Sequence, residues 1–191
     1  MIIITGAAGF IGFHLSKRLL SEGYRILGID NLNAYYDVNL KKERLKLLKK
    51  ASKGSDLFRF IKCDLKDSKK INDIFKKNKP KIVINLAAQA GVRYSIENPE
   101  EYVSSNLVGT SNLLEQVKAR EIQHFMFAST SSVYGGLDKM PFRELDPTDN
   151  PMSFYAATKK AGEVLSHSYA HLFDIPTTCF RFFTVYGPWG R

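Results

Sequence analysis

The sequence has few cysteines and no long apolar run, and each shortage excludes a class of protein. Its two cysteines, Cys63 and Cys179, fall in or beside strand-like segments without metal-ligand spacing, which excludes a disulfide scaffold and a cysteine-based zinc site. We expect both thiols to be buried and reduced, as in a cytoplasmic protein. No apolar run is long enough to span a bilayer, and the chain enters its first strand without a signal peptide, so we expect no membrane association.

Acidic residues are scarce relative to basic ones. The chain has 28 lysines and arginines against 19 acids, a net charge of +9, and lysines crowd residues 41–53 and 62–81. One interpretation is a nucleic-acid or anionic-surface patch, and the other is the solvated faces of surface helices. No aromatic platform accompanies the lysines, as single-strand binding requires, and leucines and acids are interspersed among them. We therefore predict surface helices, a general attraction for anionic substrates, and no nucleic-acid partner.

The composition is that of a globular domain with alternating elements. Hydrophobic residues make up 44% and charged residues 25% of the 191 positions. A chain of this size buries about 70% of its unfolded surface, enough for one core. Strands are predicted at 1–5, 24–29, 57–62, 81–87, 124–129 and 177–183, and helices at 9–22, 38–50, 68–77, 99–119 and 153–173. This alternation predicts an α/β domain, a Rossmann-type doubly wound parallel sheet with helices on both faces and strand order 3-2-1-4-5-6.

A glycine-rich turn directly follows the first strand. Gly6, Gly9 and Gly12 have the spacing GxxGxxG, which differs from the GxGxxG fingerprint, and an amphipathic helix continues from them. Glycines here let the backbone turn tightly and let a pyrophosphate approach the helix N-terminus. The second strand ends in Asp30, 18 residues after Gly12, where a carboxylate accepts from the ribose of NAD and repels the 2′-phosphate of NADP. We predict NAD binding; the alternative is a glycine turn in a nucleotide-free domain.

Tyr155 and Lys159 lie four residues apart in a segment predicted to be helical, so their side chains share one face. A free tyrosine has a pKa of about 10, and a nearby ammonium group lowers that pKa because it favours the phenolate. A tyrosine tuned in this way takes the proton of a sugar or alcohol hydroxyl near neutral pH. The carbon atom that bears this hydroxyl can then release a hydride to a nicotinamide.

Polar residues follow the other predicted strands. Ligands of doubly wound sheets bind outside the carboxyl ends of the strands. The residues at those ends are Asp30, Asp64, Asn85 with Gln89, residues 129–132, and Thr184. We expect them to surround one ligand site.

Together these segments resemble one family. The chain is similar to the NAD-dependent epimerase/dehydratase family, the extended short-chain dehydrogenases/reductases, and within it most to the UDP-glucuronate 4-epimerases. The resemblance extends over essentially the whole chain and rests on residues 5–12, 30–37, 85–95, 106–110, 129–135, 155–159 and 181–188. It implies a cytoplasmic isomerase of polysaccharide biosynthesis that uses NAD and a UDP-sugar.

The resemblance also implies a role for each matched residue. Tyr155 is the general base and acid, Lys159 binds the nicotinamide ribose and tunes Tyr155, and Thr130 shares the substrate proton. Asn106 supports the active-site helix, and Asp64 contacts the adenine. The implied cofactor contacts are Gly6, Gly9, Phe10, Ile11, Gly12, Asp30, Asn31, Asp64, Leu65, Leu86, Ala87, Ala88 and Lys159. The implied substrate contacts are Arg93, Thr130, Ser131, Ser132, Tyr155 and Thr184.

Ser131 and Ser132 distinguish the subfamilies. Sugar 4,6-dehydratases carry Asp-Glu directly after the threonine, and UDP-glucuronate decarboxylases keep a glutamate at the second position. Two neutral hydroxyls leave room for a substrate carboxylate without like-charge repulsion. Epimerisation needs no further carboxylate. The alternative is that the two serines only cap the turn.

The chain departs from the family in length. Members continue into a smaller substrate domain, so we expect a single NAD-binding domain over residues 1–191 with much of the substrate site absent. Apolar surface near Phe183 and Trp189 would then favour aggregation or a homodimer. Two alternatives stay open: another epimerase of the family, such as a UDP-glucose 4-epimerase, or a catalytically silent NAD-binding fragment.

Several other residues allow more than one interpretation. His167 and His171 have the helical spacing of zinc ligands but no third ligand nearby, so we predict no metal site. Arg93 and Arg191 are candidates to meet a sugar carboxylate or phosphate, and a surface ion pair is the alternative for Arg93.

Overall fold

The structure, a computed structural model, describes residues 1–52 and 54–190. Lys53 in the lysine-rich stretch and Arg191, a candidate substrate contact, lie outside the described residues. Six parallel strands form one sheet in the order β3-β2-β1-β4-β5-β6. The strands are β1 (Ile2–Thr5), β2 (Ile26–Asp30), β3 (Phe58–Lys62), β4 (Ile82–Asn85), β5 (His124–Thr130) and β6 (Thr177–Phe182). The predicted doubly wound sheet and its strand order are confirmed.

Helices cover both faces of the sheet, because successive strand residues point to opposite sides. The longer helices are α1 (Phe10–Ser21), α2 (Val38–Ala51), α3 (Ser68–Asn78), α6 (Gly109–Lys118) and α7 (Phe154–Phe173). One core places Ile2 and Ile4 of β1 with residues of α1 and α2. The other places Ile3 with residues of α3 and α6. The near-continuous apolar strands of the sequence follow from this double coverage.

The helical region between β4 and β5 differs from the prediction. The structure adds a short helix, α4 (Val92–Glu97), which was not predicted. The predicted helix at 99–119 is continuous in space but divides into α5 (Pro99–Tyr102), a π-helical turn (Val103–Val108) and α6. Six residues are too few to show helical periodicity, and a π-helical turn leaves no compositional signal.

β6 forms an edge of the sheet, and this position corrects one prediction. Cys63 is buried as expected, but Cys179 in β6 is exposed, so the prediction of two buried thiols is wrong for Cys179. Among the described residues β6 pairs with β5 alone. Phe183 and Trp189, which follow the strand, keep 60% and 43% of their surface exposed, as expected for this end of the sheet.

The lysine-rich helix α2 is solvated only in part. Leu45 and Leu48 face the core, and Lys42, Lys46 and most of the other lysines are exposed. Lys41, however, is only 4% exposed, so the prediction that the lysines of this stretch are solvated is wrong at Lys41. Arg44, for which no prediction was made, is 0% exposed. In the part of the chain that the structure describes, none of the helices is long and apolar enough to cross a bilayer.

Candidate active site

A cavity of about 620 Å³ opens at the carboxyl edge of the sheet. It extends from the glycine turn past the ends of β2, β3, β4 and β5 to α7. Every predicted cofactor residue lines it, namely Gly6, Gly9, Phe10, Ile11, Gly12, Asp30, Asn31, Asp64, Leu65, Leu86, Ala87, Ala88 and Lys159. Thr130 and Tyr155 line the same cavity. The structure therefore brings the candidate proton-transfer residues and the glycine turn into one space.

The glycine turn is packed too closely for side chains. A Cβ atom on Gly12 would lie 2.1 Å from the carbonyl oxygen of Gly6, and Gly6 itself has φ +67°. Gly9 is the N-cap of α1 and offers no side chain to cap the helix. The first N–H groups of α1 therefore face the cavity region without a side-chain acceptor, beside the positive end of the helix dipole. This arrangement fits a pyrophosphate group of a dinucleotide.

Asp30 is held at the end of β2 by backbone donors. Its carboxylate oxygens accept from the N–H groups of Ala8 at 3.1 Å and Leu32 at 2.8 Å. Burial raises the pKa of Asp30, and those two N–H groups together with the cations Lys41 and Arg44 oppose the rise. A carboxylate fixed beside the glycine turn has the chemistry required of a ribose acceptor.

Asn31 and Asp64 join the ends of β2 and β3. The amide Nδ2 of Asn31 donates to Asp64 Oδ2 at 2.9 Å, and Asp64 Oδ1 accepts from the Lys66 N–H at 3.0 Å. Two strand ends of the cavity wall are thereby cross-linked on the side away from α7.

Lys41 and Arg44 also line the cavity, although neither was predicted as a site residue. The ammonium of Lys41 donates to the carbonyl and side-chain oxygens of Asn33 at 2.9 and 2.7 Å. Arg44 donates to the Ala8 carbonyl at 3.0 Å and, through Nε at 3.1 Å, to the Trp189 carbonyl. A sequence signal existed, because Lys41, Leu45 and Leu48 follow the helical spacing of a buried face.

Tyr155 stands in the first turn of α7. Ser153 caps this helix by accepting from the Ala156 N–H at 3.1 Å. The Tyr155 ring meets the edge of the Tyr102 ring at 6.1 Å between centroids. Burial raises the pKa of Tyr102 to about 12. The neutral Tyr102 hydroxyl donates its one proton toward the Gly91 carbonyl at 2.6 Å, with the Ala90 carbonyl also within reach at 3.0 Å.

Lys159 is buried one helical turn after Tyr155. Its ammonium nitrogen lies 4.4 Å from the centroid of the Phe127 ring. Burial lowers the pKa of Lys159 to about 8, and nearby Cys179 and Glu163 act in the opposite direction. A lysine with this pKa still carries its proton at pH 7, next to a tyrosine that lines the same cavity.

Thr130 ends β5 and caps the short 3₁₀ helix Ser131–Tyr134. Its hydroxyl accepts from the Ser132 N–H and donates to the Ser132 hydroxyl, both at 3.2 Å. Ser131 and Ser132 are half-buried. Among the described residues, the cavity lining includes Thr130 but not Ser131, Ser132, Arg93 or Thr184, and the last two are exposed.

Asn106 supports α7 from the π-helical turn. Its Nδ2 donates to Thr158 on α7 and to the Gln89 carbonyl, each at 3.0 Å. Its Oδ1 accepts from the Gln89 N–H at 2.8 Å. The helix that carries Tyr155 and the loop after β4 are therefore tied together, as the resemblance implies.

The histidines take part in packing and surface contacts. His14 bonds with the Pro188 carbonyl at 2.8 Å and His124 with Thr178 at 2.9 Å, whereas His167 and His171 are exposed. In residues 1–52 and 54–190, no group of three or more His, Cys, Asp or Glu side chains is arranged to hold a metal ion.

Comparisons with known proteins agree with this geometry. The model of the NAD dependent epimerase/dehydratase family matches residues 2–191. A probable UDP-glucuronate 4-epimerase of Rhizobium meliloti is 53% identical over 99% of this chain and 54% of its own length. Protein CapI of Staphylococcus aureus is 51% identical over 100% of this chain and 55% of its own length.

A solved structure of similar fold is the UDP-glucuronic acid 4-epimerase of Bacillus cereus in complex with UDP-glucuronic acid and NAD. It aligns with a TM-score of 0.89 and 37% identity over 100% of this chain and 58% of that chain. The present chain spans about half the length of the curated relatives that it matches. With its residues matched from 2 to 191, the chain belongs to the NAD dependent epimerase/dehydratase family.

Proposed function

We propose that this chain is the cofactor-binding and proton-transfer domain of a nucleotide-sugar 4-epimerase that interconverts UDP-glucuronate and UDP-galacturonate. The observation that supports the proposal most directly is the single cavity shared by the glycine turn, Asp30, Thr130, Tyr155 and Lys159. The relatives named as UDP-glucuronate 4-epimerases, at 49–53% identity, support the choice of sugar.

The residues present fit NAD. The closely packed turn at Gly12, the uncapped start of α1 and the anchored carboxylate of Asp30 suit its pyrophosphate and its adenine ribose. When bound, NAD would supply a reversible acceptor for the hydride of the sugar C4. Lys159 would hold the nicotinamide ribose, and Asp64 would border the adenine.

Tyr155 is the proposed general base and acid. Its phenolate takes the proton of the sugar 4-hydroxyl. It returns the proton after the keto sugar has rotated to present its other face and has taken the hydride back. Lys159, kept as an ammonium group, lowers the pKa of Tyr155 by charge. Thr130 shares the proton through its hydroxyl, which lines the same cavity.

Ser131, Ser132, Arg93 and Thr184 are the proposed contacts of the uronate. The neutral hydroxyls of the two serines tolerate a carboxylate where an Asp-Glu pair would repel it. A 4-keto uronate loses carbon dioxide readily, so the carboxylate must be held in an unproductive orientation. These four side chains lie outside the lining of the cavity, so the sugar must reach beyond that lining to contact them.

Three further properties belong to the same proposal. Residues 1–191 form one NAD-binding domain, the protein acts in the cytoplasm in polysaccharide biosynthesis, and a homodimer forms through exposed apolar surface. No membrane or nucleic-acid partner is part of the proposal.

The test uses a hybrid in which residues 1–191 are followed by the C-terminal part of the Rhizobium meliloti relative. We expect the hybrid to convert UDP-glucuronate to UDP-galacturonate, with products identified by NMR. Tyr155→Phe is the matched control, and it should retain NAD binding while losing turnover by about 100-fold or more. Substantial release of carbon dioxide, or activity confined to UDP-glucose, would refute the substrate while leaving the fold intact.

A further inference from the structure

Glu163 is a buried carboxylate on the same face of α7 as Tyr155 and Lys159. The three residues follow one another at four-residue intervals, so their side chains stack along one side of the helix. Glu163 is 8% exposed and lies where α7 packs against β5 and β6. A buried carboxylate is costly unless charged and polar partners surround it.

Glu163 has such partners on both neighbouring strands. The hydroxyl of Ser129, at the end of β5, donates to Oε1 at 2.5 Å. Arg181 of β6 donates to both carboxylate oxygens, from Nε and from Nη2, each at 3.0 Å. Burial raises the pKa of Glu163, but the bonds from Arg181 and Ser129 outweigh it and hold the pKa below its ordinary value. Glu163 is therefore ionised at physiological pH and cross-links three elements.

Arg181 is in turn fixed by its own contacts. Its Nη1 donates to the Glu144 carbonyl at 3.0 Å, and its guanidinium lies 4.9 Å from the centroid of the Tyr134 ring. The bidentate pair with Glu163 thus has a set geometry. This ion pair contacts Ser129, which precedes Thr130 at the end of β5.

The charges around Lys159 come from α7 and β6. Burial beside the Phe127 ring disfavours its ammonium form, whereas Cys179 of β6 and Glu163 favour it. Cys179 is exposed at the edge strand as a residue, but local desolvation of its thiol raises the pKa of Cys179 to about 11, so the thiol is neutral at pH 7. Glu163 is the ionised member of this pair, and Arg181 partly offsets its charge.

We propose that Glu163, paired with Arg181, is a positioning residue that keeps Lys159 in its ammonium form beside Tyr155. The carboxylate acts through Lys159 and does not touch the substrate. This inference rests on the proposed function, which assigns Lys159 both the tuning of Tyr155 and the binding of the nicotinamide ribose. The pairing with Arg181 sets how much negative charge Lys159 experiences.

Substitutions of Glu163 and of Arg181 should shift the titration midpoint of Lys159 in opposite directions. Glu163→Gln removes the negative charge and leaves Arg181, so the titration midpoint of Lys159 should fall by about 1 pKa unit. Arg181→Gln removes the cation that offsets Glu163, and the bond from Ser129 still favours the carboxylate form of Glu163, so the midpoint should rise. Both midpoints are read by NMR of the chain carrying ¹³Cε-labelled lysine, with the Lys159 resonance identified by its loss in Lys159→Met.

A purely structural ion pair gives a different result. Both variants would then shift the midpoint in the same direction or leave it unchanged, and either outcome overturns the inference. Ser129→Ala is the matched control: it loses one hydrogen bond to Glu163 but no charge, so the Lys159 midpoint should stay in place. If Arg181→Gln is unfolded by circular dichroism, Glu163→Gln decides alone, because glutamine keeps the shape of the side chain.

The hybrid enzyme separates this inference from the proposed function. Glu163→Gln should move the basic limb of the hybrid's pH–kcat profile to lower pH, by as many pH units as the NMR midpoint of Lys159 falls. If the hybrid does not epimerise but the NMR midpoints move in opposite directions, the proposed function fails and the link from Glu163 to Lys159 stands. If the hybrid epimerises and the midpoints do not move, only the inference fails.

Discussion

The backbone of the glycine turn fixes the Asp30 carboxylate before a ligand arrives. Both oxygens accept backbone N–H groups, from Ala8 and Leu32. A ribose 2′-hydroxyl can donate to such a carboxylate, whereas a 2′-phosphate meets like charge. We therefore predict that the chain binds NAD more tightly than NADP, and that Asp30→Ala narrows the difference.

Isothermal titration calorimetry with both dinucleotides measures this preference. Asp73→Ala removes an acid of the same type from the exposed surface of α3 and should leave the ratio of the two affinities unchanged. Equal or tighter binding of NADP by the parent chain would contradict the role proposed for Asp30.

Lys159 lowers stability in return for its proposed role. Its pKa of about 8 in the folded chain is below the ordinary 10.5, so below pH 8 folding must bury a charge. The shift corresponds to about 3 kcal/mol. Lys159→Met should therefore raise the free energy of unfolding at pH 7 by up to about 3 kcal/mol while weakening NAD binding.

The sign of the pH dependence provides a second check. Between pH 8 and 10.5 the unfolded lysine keeps its proton and the folded one loses it, so the parent chain gains stability as the pH rises through this window. The advantage of Lys159→Met should shrink accordingly in urea unfolding at pH 7 and pH 9.5. Lys17→Met, at an exposed position, should show no such trend.

At the scale of elements, α7 approaches β5 unusually closely. A Cβ atom on Gly162 would lie 2.3 Å from Cζ of Phe127. The same ring contacts the ammonium group of Lys159. Gly162→Ala must push α7 away from the strand, and overpacking of this kind costs about 1–3 kcal/mol. We predict that loss in the free energy of unfolding, together with weaker NAD binding.

Gly136→Ala is the control for that substitution. Among residues 1–52 and 54–190, only the flexible Met152 side chain lies within 4 Å of a Cβ atom added to Gly136, so the change in the free energy of unfolding should stay within about 0.5 kcal/mol. Similar unfolding free energies for the two variants would show that α7 is free to move away from β5.

Helices and strands could be predicted from the sequence where their packing imposes a regular pattern of apolar residues. The central strands β1, β2 and β4 were predicted correctly because they are buried on both faces and therefore almost entirely apolar. The alternation of strands with helices predicted the order of the strands in the sheet. α4 was missed because six residues hold less than two turns. Lys41 was misassigned because a cation is usually solvated, and Arg44 was not predicted at all, whereas here each is buried and donates to carbonyl oxygens.

At the scale of the whole molecule, the parallel sheet explains how far the site could be predicted. The carboxyl ends of parallel strands meet at one edge, so residues distant in sequence, such as Asp30, Asp64 and Thr130, line one cavity. The segment after β6 could not be placed in this way. It folds back over the glycine turn through bonds from Arg44 and His14 to the carbonyls of Trp189 and Pro188, and it has no periodic pattern to predict this path.

The last prediction concerns binding and turnover by the chain as a whole. The dinucleotide side of the cavity is lined by all the proposed cofactor residues, whereas Arg93, Ser131, Ser132 and Thr184 stand outside it. Binding of NAD needs only the first group, but catalysis also needs the sugar to be held in line with Tyr155. We therefore predict that residues 1–191 alone bind NAD in calorimetry and show no measurable epimerisation of UDP-glucuronate, while the hybrid does both. Turnover by the 191-residue chain at the rate of the hybrid would mean that these residues already form a complete substrate site.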